Sequence, residues 1–362
     1  MNDEEYMRIA LQAARNASGR TSPNPLVGAV IVKDDRIVSI GWHRKAGTEH
    51  AEIHALNMAG TLAKGATLYV TLEPCSHYGR TGPCAKAVVN AGISRVVVAM
   101  LDPNPLVSGR GIQILREAGI EVSVGILEED ANALNEVFLK WITEKIPFVT
   151  LKMAMSLDGK IATYSGESKW ITNMTSRQMG HQIRDRVDAI LVGIGTVMAD
   201  DPQLTTRLEQ GGHNPVRVVL DSRARISPDA KMLHDNESPV WVAVTAKAPA
   251  EKIKILKEMG AEVLVCGDAE HVDLSLLMKV LGEKNITSLL VEGGGTVAYS
   301  FLKNSFVDKV KAFIAPMLIG GEAAKTPVEG AGAGRLDDAV RLERMTYQML
   351  DGDIFVTAYV RK

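Results

Sequence analysis

The chain has 362 residues, 46% of them hydrophobic but only 5% aromatic, and a formal net charge of −2. That length indicates two or three domains with ample apolar side chains for two cores, as in a globular α/β enzyme. The charge excludes a general attraction to nucleic acid, and no apolar run reaches the roughly 18 residues of a membrane span.

The acidic start Met1-Asn2-Asp3-Glu4-Glu5 lacks the basic and apolar regions of a signal peptide. Three cysteines suit a reducing cytosol better than a disulfide framework, so a cytoplasmic protein is expected. Residues 4–17 carry Met7, Ala10, Leu11 and Ala14 at helical spacing, which predicts an amphipathic helix. Pro23-Asn24-Pro25 forces an extended turn, because each proline pushes the preceding residue out of the α region. A buried strand over 27–32, a turn at Asp34-Asp35 and a partner strand over 36–41 predict a hairpin. The loop 42–49 delivers the chain to His50, which opens a helix over 51–59. A β-like run over 66–71 leads to Glu73-Pro74-Cys75, with Cys84 following. Next come a helix over 85–91 stopped by Gly92, a strand over 95–100, a helix over 111–118 stopped by Gly119, a strand over 121–124 and one long helix over 130–144. Alternating strands and helices imply a largely parallel sheet covered on both faces.

His50, Cys75 and Cys84 form a set of borderline and soft donors that suits Zn²⁺, and three protein ligands leave a fourth position open for water. Glu52 stands beside them as a carboxylate able to move protons without binding the metal. This is the layout of the zinc nucleobase deaminases. Taken alone, two cysteines at this spacing are more often ordinary buried thiols. His50 and His54 also lie at i and i+4, as in a zinc-protease helix, but there the glutamate falls at the wrong place and both cysteines stay idle. His54 is therefore read as a packing residue. A purely structural zinc site is usually closed by a fourth protein ligand, and none is evident.

Lys145-Ile146-Pro147 marks a junction between domains 1–145 and 146–362. Strand–helix alternation resumes with a strand over 148–155, a helix over 175–186 and a strand over 188–192 that runs into Gly193-Ile194-Gly195-Thr196. Short strands follow at 216–220, 240–244, 262–265 and 288–291, the last ending at Glu292-Gly293-Gly294-Gly295 before a helix over 296–303. Glycines between strand and helix let backbone amides approach a phosphate, although they also serve as plain tight connections. Gly193-x-Gly195 lacks the third glycine of a Rossmann fingerprint.

Asn24-Pro25-x-Val27-Gly28, His50-Ala51-Glu52, Glu73-Pro74-Cys75-Ser76-His77-x-Gly79-x-Thr81 and Asp102-Pro103-Asn104-Pro105 resemble the deaminase half of the bifunctional riboflavin-biosynthesis deaminase–reductases. Lys152-x-Ala154-x-Ser156-Leu157-Asp158-Gly159, Gly166-Glu167-Ser168-x-Trp170-Ile171-Thr172, Thr196-x-x-Ala199-Asp200-Asp201-Pro202-x-Leu204-Thr205, Asp221-Ser222 and Val291-Glu292-Gly293-Gly294 resemble the reductase half. The resemblance covers essentially the whole chain and is least specific at its C-terminal end. It implies an α/β fold with a cytidine-deaminase-like three-layer α/β/α domain first and a dihydrofolate-reductase-like α/β domain second.

By the same resemblance, His50, Cys75 and Cys84 would hold one zinc ion, Glu52 would shuttle protons, and Asn24, His43 and His77 would surround the pyrimidine. NADPH would contact Ala154, Trp170, Thr196, Asp200 and Ser222, together with the run Gly294, Gly295, Thr296, Val297, Ala298, Tyr299 and Ser300. Ser168, Arg184, Leu204, Arg207 and Glu292 would contact the second substrate, with Lys152 and Asp200 in catalytic roles. Ser168, Arg184 and Arg207 do supply the hydroxyl and cationic anchors that a phosphoribosyl group needs. The implied chemistry is hydrolytic deamination of a diamino-phosphoribosylamino-pyrimidinone, then NADPH reduction of the ribosyl group of the resulting uracil to ribityl. Expected partners are these small molecules and further copies of the chain, with neither nucleic acid nor membrane. A nucleic-acid-editing deaminase with an inactive reductase-like module would need a basic groove and stacking aromatics, which this composition lacks.

Overall fold

A capping box starts the chain: Asn2 accepts a hydrogen bond from the Glu5 N–H, and Glu5 accepts one from the Asn2 N–H. In the computed structural model, which describes residues 1–76, 82–104 and 108–361, helix α1 (Asp3–Arg15) follows that cap. It buries Tyr6, Met7, Ala10 and Leu11 and lies close to β1 (Gly28–Lys33). A Cβ on Gly28 would stand 1.9 Å from the Ala10 carbonyl oxygen, so only glycine permits that approach.

The chain divides into two units, Met1–Lys145 and Ile146–Lys362. In the first, β1 is followed by β2 (Arg36–Trp42), α2 (Ala51–Ala59), β3 (Thr67–Val70), α3 (Cys84–Asn90), β4 (Arg95–Val98), α4 (Arg110–Glu117) and β5 (Glu121–Val124). The sheet order is β2-β1-β3-β4-β5. Its β2-β1 and β1-β3 pairs are antiparallel and its β3-β4 and β4-β5 pairs parallel. The expected largely parallel sheet is therefore mixed in this unit. The cause is the hairpin turn, where Asp34 and Asp35 both take positive φ (49° and 56°) and reverse the chain within two residues. The single helix expected over 130–144 is instead two, α5 (Glu128–Leu134) and α6 (Glu136–Glu144). Between them the buried Asn135 amide accepts from the Leu26 N–H at 2.8 Å and donates to the Leu26 carbonyl at 3.0 Å. Satisfying both backbone groups of a distant residue outweighs an unbroken helix.

The second unit runs β6 (Phe148–Ser156), α7 (Met174–Arg184), β7 (Ala189–Gly193), α8 (Ile194–Asp200), β8 (Val216–Leu220), β9 (Val240–Val244), α9 (Ala250–Glu258), β10 (Glu262–Val265), α10 (Leu274–Glu283), β11 (Ser288–Glu292), α11 (Gly295–Lys303), β12 (Val307–Ala315), β13 (Leu342–Leu350) and β14 (Asp353–Val360). Helices α8, α9 and α10 and the last three strands are additions to the elements read from sequence. The nine-stranded order is β10-β9-β8-β7-β11-β6-β12-β14-β13, with antiparallel pairing only at β12-β14 and β14-β13. From β7 the chain walks outward to β10, then returns to insert β11 between β7 and β6. In open parallel sheets a ligand crevice opens at the carboxyl ends of the strands where the order reverses. Among the described residues no helix is long and apolar enough to cross a membrane.

Candidate active sites

In the first unit, three separate elements bring donor atoms to one point. His50 is the extended residue before α2 and makes no capping bond with its side chain, which leaves the ring free to turn inward. Cys84 is the first residue of α3. Cys75 lies beyond the end of β3 and is held from both sides of its residue, its sulfur accepting from the Cys84 N–H at 3.3 Å and its carbonyl from the Ala85 N–H at 3.2 Å. His50 Nδ1 is 3.2 Å from Cys84 Sγ and 3.6 Å from Cys75 Sγ, and the three donor atoms lie within 4.8 Å of one another. Tetrahedral zinc with bonds of about 2.0–2.3 Å sets its ligands roughly 3.3–3.8 Å apart, so this donor set fits the ion. Among the described residues no other such cluster occurs.

The electrostatics agree. The Cys84 hydrogen bond, with His50 assisting, pulls the Cys75 thiol down to about 4, while the same bond and burial push Cys84 up. Glu52, in the first turn of α2, is 3% exposed, and burial pushes its carboxyl up to about 7. His43 presents its ring edge-on to His50 with centroids 5.4 Å apart. Its Nδ1–H donates to the Glu49 carbonyl, leaving Nε2 to accept from the Asn24 amide at 3.1 Å, and burial lowers its basicity. Asn24 and His43 are therefore gathered at the cluster, whereas His77 lies outside the described residues. His54 faces away from any partner on Nε2, with Nδ1 3.6 Å from Glu49.

A cleft of about 400 Å³ opens in the second unit, lined by Lys152, Ala154, Ser168, Trp170, Arg184, Arg207 and Glu292 among others. Arg184 grips Glu292 with Nε and Nη2 at 2.8 and 2.9 Å, and Lys152 Nζ stands 3.6 Å from the same carboxylate. Burial opposes ionisation of Glu292, but Arg184 and Lys152 outweigh it and hold the carboxyl well below the usual range. Since Arg184 commits its fork to Glu292, Arg207 is the freer cation for a phosphate. His181, one turn before Arg184 on α7, also lines the cleft and escaped the sequence reading. Burial, with Arg184 and Arg207, pushes it down to about 4, so it is a neutral acceptor for the Arg207 N–H. A polar His-x-x-Arg face on a helix beside the cleft was the available signal.

The remaining expected contacts sit outside the cleft lining. Asp200 is 3.7 Å from Lys169, which does line it. Leu204 and Ala298 are buried in the core, leaving only backbone to meet a ligand. The glycine turns after β7 and β11 adjoin: a Cβ on Gly293 would stand 3.7 Å from the Gly193 N, and one on Gly193 only 2.7 Å from Val297. Gly195 and Gly294 face open space at the starts of α8 and α11, a cradle that suits the phosphates of a dinucleotide. Thr296 Oγ1 donates to Glu329, and the rest of the run, Gly295, Val297, Tyr299 and Ser300, continues α11. Ser222 Oγ accepts from the Val272 N–H at the end of β8. Beside it Arg223 and Lys247 converge on Glu270 at 2.5 and 2.7 Å, a pair of cations that sequence reading passed over.

Comparison with known proteins agrees with both sites. Residues 1–100 match the family model of the cytidine and deoxycytidylate deaminase zinc-binding region, and residues 147–356 match that of the RibD C-terminal domain. The riboflavin biosynthesis protein RibD of Aquifex aeolicus is 46% identical over 98% of this chain and 97% of its own. That of Escherichia coli is 44% identical over 89% of this chain and 90% of its own. Among solved structures, Acinetobacter baumannii RibD superposes with a TM-score of 0.90 at 41% identity over 99% of each chain. A diaminohydroxyphosphoribosylaminopyrimidine deaminase/reductase of Thermotoga maritima superposes with a TM-score of 0.88 at 36% identity, again over 99% of each. The fold is accordingly cytidine-deaminase-like in its N-terminal part and dihydrofolate-reductase-like in its C-terminal part. By full-length identity and by both family models, the chain belongs to the RibD family of riboflavin biosynthesis proteins.

Proposed function

We propose that residues 1–145 deaminate a diamino-phosphoribosylamino-pyrimidinone and that residues 146–362 then reduce the ribosyl group of the uracil product to ribityl. The observation that carries the first step is the convergence of His50, Cys75 and Cys84 beside a buried Glu52. Zinc held by those three residues supplies the Lewis acidity that makes water nucleophilic near neutral pH. Glu52, poised at about 7, takes a proton from the attacking water and returns it to the departing ammonia. Asn24 and His43 orient the pyrimidine, their hydrogen bond to each other giving way to bonds with its polar edge. His77 is assigned to the same edge on resemblance alone.

The glycine turns at Gly195 and Gly294 would hold the phosphates of NADPH, which would supply the hydride for the second step. Arg207 and Ser168 bind the substrate phosphate. Arg184 fixes Glu292, which in turn holds Lys152 toward the reacting ribose. Ala154 and Trp170, in the cleft lining, and Thr196 and Asp200, on α8 outside it, would contact NADPH, and Leu204 contributes backbone. Strand β13 ends the sheet with Tyr347 and Met349 exposed on one face, which supports a homo-oligomer. Free thiols at the metal site suit the cytoplasm. Incubation with the pyrimidine substrate, following ammonia release and NADPH consumption separately, tests both steps; ammonia without NADPH oxidation, or neither, refutes the corresponding half.

A further inference from the structure

Glu73 lies two residues before Cys75 and is only 3% exposed, yet its carboxylate is not among the clustered donor groups. Instead its carboxylate collects backbone N–H groups from far along the chain. Oε1 accepts from Gly111 at 2.8 Å and Ile112 at 3.3 Å, and Oε2 from Gly109 at 2.9 Å and Asp102 at 3.3 Å. Four N–H donors thus converge on its two oxygens, filling the acceptor sites of the carboxylate group.

Two further observations show what this clamp holds. Gly109, the residue before α4, has φ +77° and makes no side-chain cap, so Glu73 caps that helix in its place. A Cβ on Gly111 would stand 1.9 Å from the Pro74 carbonyl oxygen, so α4 rests directly on the peptide preceding Cys75. Helices are more often started by a neutral local cap such as Ser, which buries no charge. The buried charge achieves something a local cap cannot. It joins the turn that carries Cys75 to the end of β4, through Asp102, and to the start of α4, through Gly109 and Gly111. On its other side Cys75 is held by α3, through the Cys84 and Ala85 N–H groups.

We propose that Glu73 is the positioning residue of the deaminase site: its carboxylate locks the Cys75 turn onto β4 and α4 and so sets where that sulfur meets His50 and Cys84. The inference rests on the deaminase reading above. Groups that orient a metal ligand from behind typically change metal affinity or activity by about 10–100-fold when replaced.

The test is the full-length Glu73→Gln protein, in which one acceptor oxygen becomes an NH₂ facing N–H donors. Zinc affinity is measured by chelator competition, the Co²⁺-substituted site by its visible spectrum, and deamination by kcat and KM at saturating zinc. NADPH-dependent reduction by the same chain reports that the protein is folded. Expected are unchanged reduction, zinc binding weakened by about 10–100-fold, a shifted Co²⁺ spectrum, and a kcat deficit that excess zinc does not restore. Wild-type zinc affinity, Co²⁺ spectrum and kcat with nothing changed but a lower melting temperature would overturn the proposal and leave Glu73 a helix cap. Should the Gln variant not fold in its first unit, Glu73→Asp, which keeps the charge but withdraws it from α4, is read by the same criteria. If the wild-type protein itself neither binds zinc nor releases ammonia, the deaminase reading has failed and not this one.

Discussion

Removing the charge of Glu292 probes the second cleft directly. The side chain is 12% exposed and its main partner Arg184 15% exposed, with two hydrogen bonds between them and Lys152 Nζ 3.6 Å away. Glu292→Gln keeps the volume but strands a buried guanidinium and turns an NH₂ toward a cation. Two unit charges about 4 Å apart attract by about 4 kcal/mol at an effective dielectric near 20. Breaking a buried pair from one side costs about 3–5 kcal/mol, because the remaining charge has no partner. For a unit of this size each kcal/mol moves the melting temperature by about 2–4 °C, so a fall of roughly 6–20 °C is expected. Calorimetry at about pH 7 reads it, NADPH marking the affected transition by raising it. The folded carboxyl lies below its ordinary 4.5, so its stabilisation is complete above that value and is lost as pH falls beneath it. The difference between wild type and variant should therefore shrink in acid. Adding Arg184→Met should recover part of the loss, since no charge is then stranded. A variant that melts with the wild type near neutrality, or a gap that widens in acid, refutes this reasoning.

Three more outcomes are expected. Cys75→Ser and Cys84→Ser should each abolish zinc binding and deamination, whereas Cys266→Ala, in the core of the second unit, should keep both; metal analysis decides it. Glu52→Gln should retain zinc and reductase activity while deamination falls by about 10²–10⁴, and near-normal ammonia release would remove Glu52 from the proton path. NADPH should be preferred to NADH, and Arg223→Ala combined with Lys247→Ala should lower kcat/KM for NADPH alone, because those cations flank Ser222 at the strand ends. Equal losses with both cofactors would place the extra phosphate elsewhere.

What the sequence by itself determined is what residue type and local period carry. His-x-Glu and two cysteines, read together with the Glu-Pro before Cys75, point to zinc chemistry, although only the fold brings their donor atoms within 4.8 Å. The alternation of apolar strands with amphipathic helices forecasts α/β architecture because each element must hide its own apolar face. Tertiary structure decided the rest. Residues 130–144 read as one helix, yet Asn135 breaks it for two hydrogen bonds to Leu26, 109 positions away. Strand β13 shows no buried alternation, being an edge exposed along nearly its whole length, so no period betrays it. Leu204 and Ala298 stand in stretches expected to contact ligands but are buried in the core, a distinction made by neighbours from other elements. Glu73 reads as part of a Glu-Pro-Cys string; its role depends on amides 29–39 positions downstream. Local sequence specifies which hydrogen-bonding and apolar groups exist. Which distant groups satisfy them is settled only when burial denies each one water and packing leaves a single partner within reach.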